Sequence, residues 1–163
     1  MDSISIDSWT LRQTVGRFVT GVTVVSLESE GEVRAMTANS FTSLSLDPPL
    51  VLFCLGKDTK AGQHIRKVSG FAVSILSHEQ QDLSSYFAGS WRGDDPPPFT
   101  FTAWDGGPRL DGCIAALGCR ISAIHEGGDH WIVVGEVVAT YCVEQGLPLV
   151  FFGGRYMTLG DVT

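Results

Sequence analysis

The segment Thr37-Ala-Asn-Ser-Phe-Thr-Ser-Leu-Ser-Leu-Asp-Pro-Pro-Leu50 puts five hydroxyl side chains and an amide on one short stretch, then runs into the apolar Val51-Leu-Phe-Cys-Leu55. Hydroxyls and amides both donate and accept hydrogen bonds, so a polar edge beside a buried strand suits a ligand carrying phosphate and ring heteroatoms. The competing reading is an ordinary Thr- and Ser-rich edge strand. Three further groups have chemical potential. His130 follows the turn Gly127-Gly-Asp129, which places a carboxylate beside its imidazole. Lys57-Asp-Thr-Lys60 offers cations and free backbone N–H groups at the mouth of a short helix, the best phosphate site in the chain or else a solvated turn with a helix cap. Arg155 and Tyr156 follow Phe151-Phe-Gly-Gly154 and bring a cation and a phenol either to a pocket rim or to the closure of the fold.

Several constellations are absent. No Gly-x-Gly-x-x-Gly, Gly-x-x-x-x-Gly-Lys-Ser/Thr or Gly-x-Ser-x-Gly occurs, which disfavours a Rossmann dehydrogenase, a P-loop enzyme and an α/β hydrolase. His125-Glu-Gly-Gly-Asp-His130 has one residue too many for a zinc-protease helix and a Gly-Gly pair that would break it, so no metal is expected. Cys54, Cys113, Cys119 and Cys142 lack Cys-x-x-Cys spacing and read as inert buried thiols. His64, His78, His125 and the tryptophans show no partner that would give them a role.

The elements that must position these groups are mostly strands. A helix is expected near residues 8 to 19, capped by Asp7 or Ser8, with Leu11, Val15 and Phe18 forming a stripe that must pack on something. Strands follow at 22–27, 33–38, 41–46, 50–55 and 71–76, with Glu28-Ser-Glu-Gly-Glu32 as a hairpin tip. Asp58 or Thr59 caps a short helix through Val68, and Ser77-His-Glu-Gln80 has the form of a capping box opening a helix to Ala88. Proline and glycine make 89–108 a long surface loop or lid. Alternation at Cys113, Ala115, Leu117, Cys119 and Ile121, and again over 131–141, gives two long strands, and 149–152 and 156–159 finish the chain. Strand after strand without regular helices predicts a mainly β fold, a small antiparallel barrel with a few short helices at its ends.

At 163 residues with 44% hydrophobic content, the chain is one domain, residues 1–163, with enough apolar material for a core. A net charge of −7 and eleven scattered Lys and Arg argue against a nucleic-acid surface. No apolar run reaches the roughly 18 residues of a membrane span, and Met1-Asp-Ser-Ile-Ser-Ile-Asp7 has no signal-peptide character, so a cytoplasmic location without membrane attachment is expected.

Taken in order, Gly21-Val-Thr-Val-Val25, Met36-Thr-Ala-Asn-Ser-Phe-Thr-Ser43, Asp47-Pro-Pro-Leu50, Gly128-Asp-His130 with Gly135-Glu-Val137, and Gly154-Arg-Tyr156 resemble the short-chain flavin reductases, the reductase components of two-component flavin-dependent monooxygenases. The resemblance spans roughly residues 8 to 159, and several motifs in one order are more specific than any single one. It implies an FMN-binding split barrel, usually a homodimer with flavin at the subunit interface. It further implies reduction of FMN or FAD by NADH, or by NADPH, and release of reduced flavin to a separate monooxygenase.

On this resemblance Thr37, Ala38, Asn39 and Ser40 contact flavin, with Ser43 as a further candidate. Read from the residues themselves, Thr59 and Lys60 are the phosphate candidates, Cys54 and Leu55 end the strand beside them as candidates for the ring edge, with Cys54 equally a core residue, and Arg155 and Tyr156 are candidates for the pocket rim or for closing the barrel. The family places the histidine of Gly-Asp-His, here His130, near nicotinamide and flavin. Hydride transfer needs stacking and distance rather than an acid or base, so His130 would orient or neutralise charge. The alternative is a turn histidine capping its own backbone. No 2′-phosphate cluster is recognisable, which favours NADH. Two other functions stay open, a flavin-binding electron carrier that does not use NAD(P)H and a pyridoxamine-phosphate-oxidase-like enzyme. The second would be expected to carry more basic residues than this acidic chain.

Overall fold

The computed structural model describes residues 5–160, so most of the N-terminal segment read for a signal lies outside the described residues. The chain runs α1 (Ser8–Val15), β1 (Thr20–Gly21), β2 (Thr23–Ser29), β3 (Glu32–Ala38), β4 (Phe41–Leu46), β5 (Pro49–Gly56), α2 (Lys60–His64), β6 (Gly70–Ile75), α3 (Gln81–Phe87), β7 (Phe101–Thr102), β8 (Arg109–Leu110), β9 (Ala115–Gly127), β10 (His130–Cys142), β11 (Val150–Phe152) and β12 (Arg155–Met157). The main sheet has seven strands in the order β3-β2-β6-β9-β10-β5-β4, and its ladders are antiparallel. End strand β3 touches β5 although four strands separate them, so the sheet is rolled. The roll stays open between β3 and β4, which leaves one edge of β3 without a strand partner.

Alternation builds the interior. Val51, Phe53 and Leu55 are buried on β5 while Leu50, Leu52 and Cys54 are less so, and Phe53 meets Phe71 edge to face at 5.0 Å. A second cluster of Val22, Val24, Leu76, Leu83, Leu110 and Leu149 seats α3 and the C-terminal hairpin on the outside of the roll.

Several expectations are corrected. Helix α1 stops at Val15, because Gly16 caps it and Arg17 and Phe18 switch to shorter bonds from their N–H groups to Thr14 and Val15 carbonyls. Asp7 caps its start as expected, accepting from the Thr10 N–H at 2.8 Å. The stripe Leu11, Val15 and Phe18 is exposed rather than packed, Phe18 by 77%. The helix after Thr59 breaks into α2 and a 3₁₀ turn at Ile65–Lys67, and the capping box at Ser77 opens a 3₁₀ turn before α3. Cys113 and Cys119 are buried, but Cys54 is only partly so and Cys142 is exposed, against the reading of four core thiols.

The 89–108 segment divides in two. Gly106 and Gly107 lie so close over β9 and β6 that a β-carbon at either would meet backbone of Cys119 or Ala72, and Ser26 Oγ donates to the Pro108 carbonyl. At Gly106–Pro108 the segment is packed onto the sheet. Residues 98–100 remain exposed beside α3.

Candidate functional site

Three hollows follow one another along the free edge of β3. The first, about 810 Å³, lies between α1 and the β3–β4 corner, with Asn39, Ser40, Phe41 and His130 on one side and Val15, Phe18 and Phe151 on the other. The second, about 150 Å³, lies against Thr37, Ser84 and Tyr156 and shares Asn39 and Phe151 with the first. The third, about 630 Å³, shares Ala88 with the second and is walled by β3, the start of α2 and the end of α3. Together they form a groove whose floor includes an unpaired backbone edge.

Most of the expected polar cradle is already engaged by the protein. Thr37 Oγ1 donates to the Ser84 carbonyl at 2.6 Å, and Ser84 Oγ lies 2.8 Å from the Tyr156 hydroxyl. Ser40 Oγ donates to the Cys54 carbonyl at 3.0 Å and accepts from the Cys54 N–H at 3.1 Å. Thr59 Oγ1 accepts from the Gly62 N–H at 2.9 Å and donates to the Gly56 carbonyl at 2.8 Å, so it caps α2. These hydroxyls hold the groove's shape by clamping β3 to α3, β4 to β5, and α2 to β5. Asn39 differs: its exposed amide lines the first two hollows and enters none of the hydrogen bonds that tie its neighbours down. It has two donors and an acceptor to give a heteroatom-bearing ring.

His130 begins β10, paired with Gly56 and Gly127, so the β5 ladder carries its ring to the first hollow. Its Nδ1 lies 2.7 Å from Asp129 Oδ1, and the hydrogen bond from His130 holds the Asp129 carboxyl below its ordinary value, helped by the imidazole's charge. The Lys57 N–H donates to the Asp129 carbonyl at 3.0 Å, which ties this turn to the end of β5. With Nδ1 given to the carboxylate, Nε2 is the nitrogen left for a ligand.

The other candidates scatter. Lys60 is exposed and lines the third hollow together with Thr59. Tyr156 faces the second. Ala38 and Leu55 point into the sealed interior, so their side chains are packing and only their backbone can serve a ligand. Ser43 is exposed on β4, Cys54 is half-buried on β5, and Arg155 is exposed on β12, and none of them lines a hollow. Sequence reasoning missed the α1 wall and the aromatic residues Tyr86, Phe87, Phe99 and Phe101 of the third hollow. Their signal was a pair of Phe residues alternating across Thr100 after a Pro-rich run, opposite a helix ending in Tyr-Phe. No cluster able to hold a metal ion occurs among the described residues.

Residues 15–160 match the model of the flavin reductase like domain. The chain belongs to the flavin reductase-like domain family. It is 40% identical over 152 residues to an NADH-dependent flavin reductase of a Rhodococcus species, covering 91% of this chain and 85% of that one. It is 35% identical over 156 residues to a flavin-dependent monooxygenase reductase subunit, HsaB, of Rhodococcus jostii, covering 93% and 78%. An NADH:FAD oxidoreductase of Streptomyces globisporus, solved with NAD and FAD fragments, superposes with a TM-score of 0.85 at 39% identity, covering 94% and 93%. As a flavin reductase-like chain it has a groove that suits the cofactor: a free strand edge, an uncommitted amide, an apolar wall and a cation at the far end.

Proposed function

We propose that this chain is an NADH-dependent flavin reductase that binds FMN or FAD along the β3 edge and releases the reduced flavin to a separate monooxygenase. The observation that carries the reading is the groove itself, with Asn39 unpartnered beside an apolar hollow that His130 enters. Bound flavin supplies the chemistry, accepting the hydride of reduced nicotinamide. The chain's own task is then placement and exclusion of water.

Asn39 and the outer backbone edge of β3 hold the ring, and Lys60 meets phosphate at the far end. His130, kept in one orientation by Asp129, presents Nε2 toward the nicotinamide and neutralises charge without having to transfer a proton. The Thr37–Ser84–Tyr156 chain holds the middle of the groove at fixed width.

The active unit is a homodimer in this reading. Trp9, Phe18 and Leu46 are 69%, 77% and 96% exposed, and Phe18 also lines the first hollow, so a second copy would bury an apolar face and complete a wall of the site together. The protein acts in the cytoplasm, and no helix among the described residues is long and apolar enough to cross a membrane.

The test follows the absorbance of NADH under anaerobic conditions, with no flavin, then FMN, then FAD added to purified protein. Oxidation that requires flavin is expected. Flavin binding without NADH or NADPH oxidation would favour the electron-carrier or pyridoxamine-phosphate-oxidase reading instead.

A further inference from the structure

The first hollow differs from the other large ones in charge. The chain carries 18 Asp and Glu against 11 Lys and Arg. The hollow between the β2–β3 turn and residues 103–108 has Glu28, Glu30 and Asp105 on its walls, and the third has Glu32. Among the described residues that line the first, none is a carboxylate, and Arg12 is the one with a permanent charge. Arg12 lies in the last turn of α1, exposed, and forms no ion pair with any described residue. Its backbone is nevertheless fixed. The Gly16 N–H donates to the Arg12 carbonyl at 2.9 Å, and the Gly153 N–H donates to the Gly16 carbonyl at 2.9 Å, which ties the end of α1 to the β11–β12 turn. Gly153 and Gly154 of that turn have φ of 58° and 77°, and a β-carbon at either would meet nothing within 4 Å. The rim at this turn is therefore bare backbone, open to a large ligand. Arg17 supplies the contrast. Its guanidinium lies 5.9 Å from the centre of the Phe152 ring, on the opposite face of the hairpin from Phe151, and it does not line the hollow.

A hollow cleared of carboxylates and bordered by one guanidinium fits an anion. The flavin's own phosphate belongs to the Lys60 end, beyond the second hollow, so the anion that reaches α1 comes with the other substrate. NADH carries a pyrophosphate between its nicotinamide riboside and its adenosine. We propose that Arg12 binds this pyrophosphate, holding it against the end of α1 while the nicotinamide lies beside His130, and that the contact supplies much of the affinity for the dinucleotide. This rests on the reading of the groove as the site of an NADH-dependent flavin reductase. A guanidinium meets phosphate oxygens through two parallel N–H donors, a geometry that an ammonium does not reproduce. The absence of carboxylates from the walls removes the repulsion that a dianion would otherwise meet at short range. Because NADH and NADPH share the pyrophosphate, Arg12 serves both and does not choose between them.

Two readouts on wild type, Arg12→Gln, Arg12→Lys and Arg17→Gln test the inference. The first is calorimetric binding of oxidised NAD, and of ADP-ribose, which keeps the pyrophosphate and lacks nicotinamide, to the flavin-loaded protein. Arg12→Gln is expected to weaken both about tenfold and Arg12→Lys about threefold, the scale of one charged hydrogen-bonding contact, while Arg17→Gln leaves both unchanged. The second is flavin-dependent oxidation of NADH and of N-benzyldihydronicotinamide, a hydride donor without phosphate. Arg12→Gln should raise the KM for NADH about tenfold with kcat and flavin affinity unchanged, and should leave kcat/KM for the benzyl donor as in wild type. Equal binding of NAD by wild type and Arg12→Gln overturns the proposal. So does an equal loss with both hydride donors, which makes Arg12 a structural part of the wall, or an equal loss in Arg17→Gln, which reduces the effect to net charge. Should Arg12→Gln fail to fold or sediment differently from wild type, Arg12→Lys and the salt dependence of the wild type decide. The affinity for ADP-ribose must then fall as salt rises, and a salt-independent affinity overturns the contact. Flavin-dependent NADH oxidation unaltered in Arg12→Gln sinks this inference alone, whereas no flavin-dependent oxidation of either donor by wild type sinks the reductase reading beneath it.

Discussion

The two ends of the β3 groove are made by different means. At the Lys60 end every wall comes from one chain and is pinned: Thr59 caps α2, Phe87 and Phe101 sit on the core, and a β-carbon at Gly62 would meet the Gly56 carbonyl. At the His130 end the wall is α1, whose apolar stripe borders the hollow without being covered and whose residues are all at least partly exposed. One end is packed against the fold, and the other is left exposed. Under the proposed dimeric reading, affinity for the flavin tail would be a property of the monomer, while the pocket around the reacting rings would be completed by a second copy.

The largest expected effect comes from attacking the unfinished end. Phe18→Asp should leave the monomer's thermal stability close to wild type, since the side chain is exposed, yet give a monomer in sedimentation with kcat/KM lower by about a hundredfold. A dimeric, active variant would show that α1 does not complete the site. Next in size, Asn39→Ala should weaken FMN and FAD alike by about tenfold, because it removes hydrogen bonds to the shared ring rather than to the tail. A loss confined to FAD would place Asn39 at the wrong end.

Thr59→Ala probes the finished end. Loss of the cap should cost about 1 kcal/mol in denaturant unfolding, with flavin binding weakened only as far as Lys60 moves. Unchanged stability would mean that the hydroxyl serves a ligand after all.

Asp129→Asn should have the smallest effect, raising the KM for NADH about threefold with flavin affinity unchanged, by loosening the His130 ring. The same contact carries a pH signature. Because the hydrogen bond from His130 lowers the Asp129 carboxyl, the carboxylate persists to lower pH than an ordinary aspartate's and is lost as pH falls through that lowered value. Any inflection in the KM for NADH assignable to this carboxyl should therefore fall below the ordinary aspartate value.

The strands of the roll were legible because burial on one face imposes alternation, as at Val51, Phe53 and Leu55. The end of α1 was not, since the Leu11, Val15 and Phe18 stripe imitates a core-facing helix yet borders an open hollow and stays exposed. Asn39 and His130 stood out by residue type and by the turn that precedes the histidine, and both line the first hollow. The fate of the hydroxyls was not, because it depends on partners far along the chain: Thr37 is spent on Ser84, and Ser40 on Cys54. Nor could local pattern show that Tyr86 and Phe99, one at a helix end and one after Pro-rich loop, would share a wall.

The most direct test of the account mixes protein and one equivalent of bound flavin with NADH, without oxygen, and follows the flavin's visible absorption band in wild type and His130→Ala. The account predicts that the band bleaches in both, with the variant needing more NADH to reach the same rate and its limiting rate little changed. A wild-type band that persists with NADH in excess would contradict the claim that this groove brings nicotinamide to flavin.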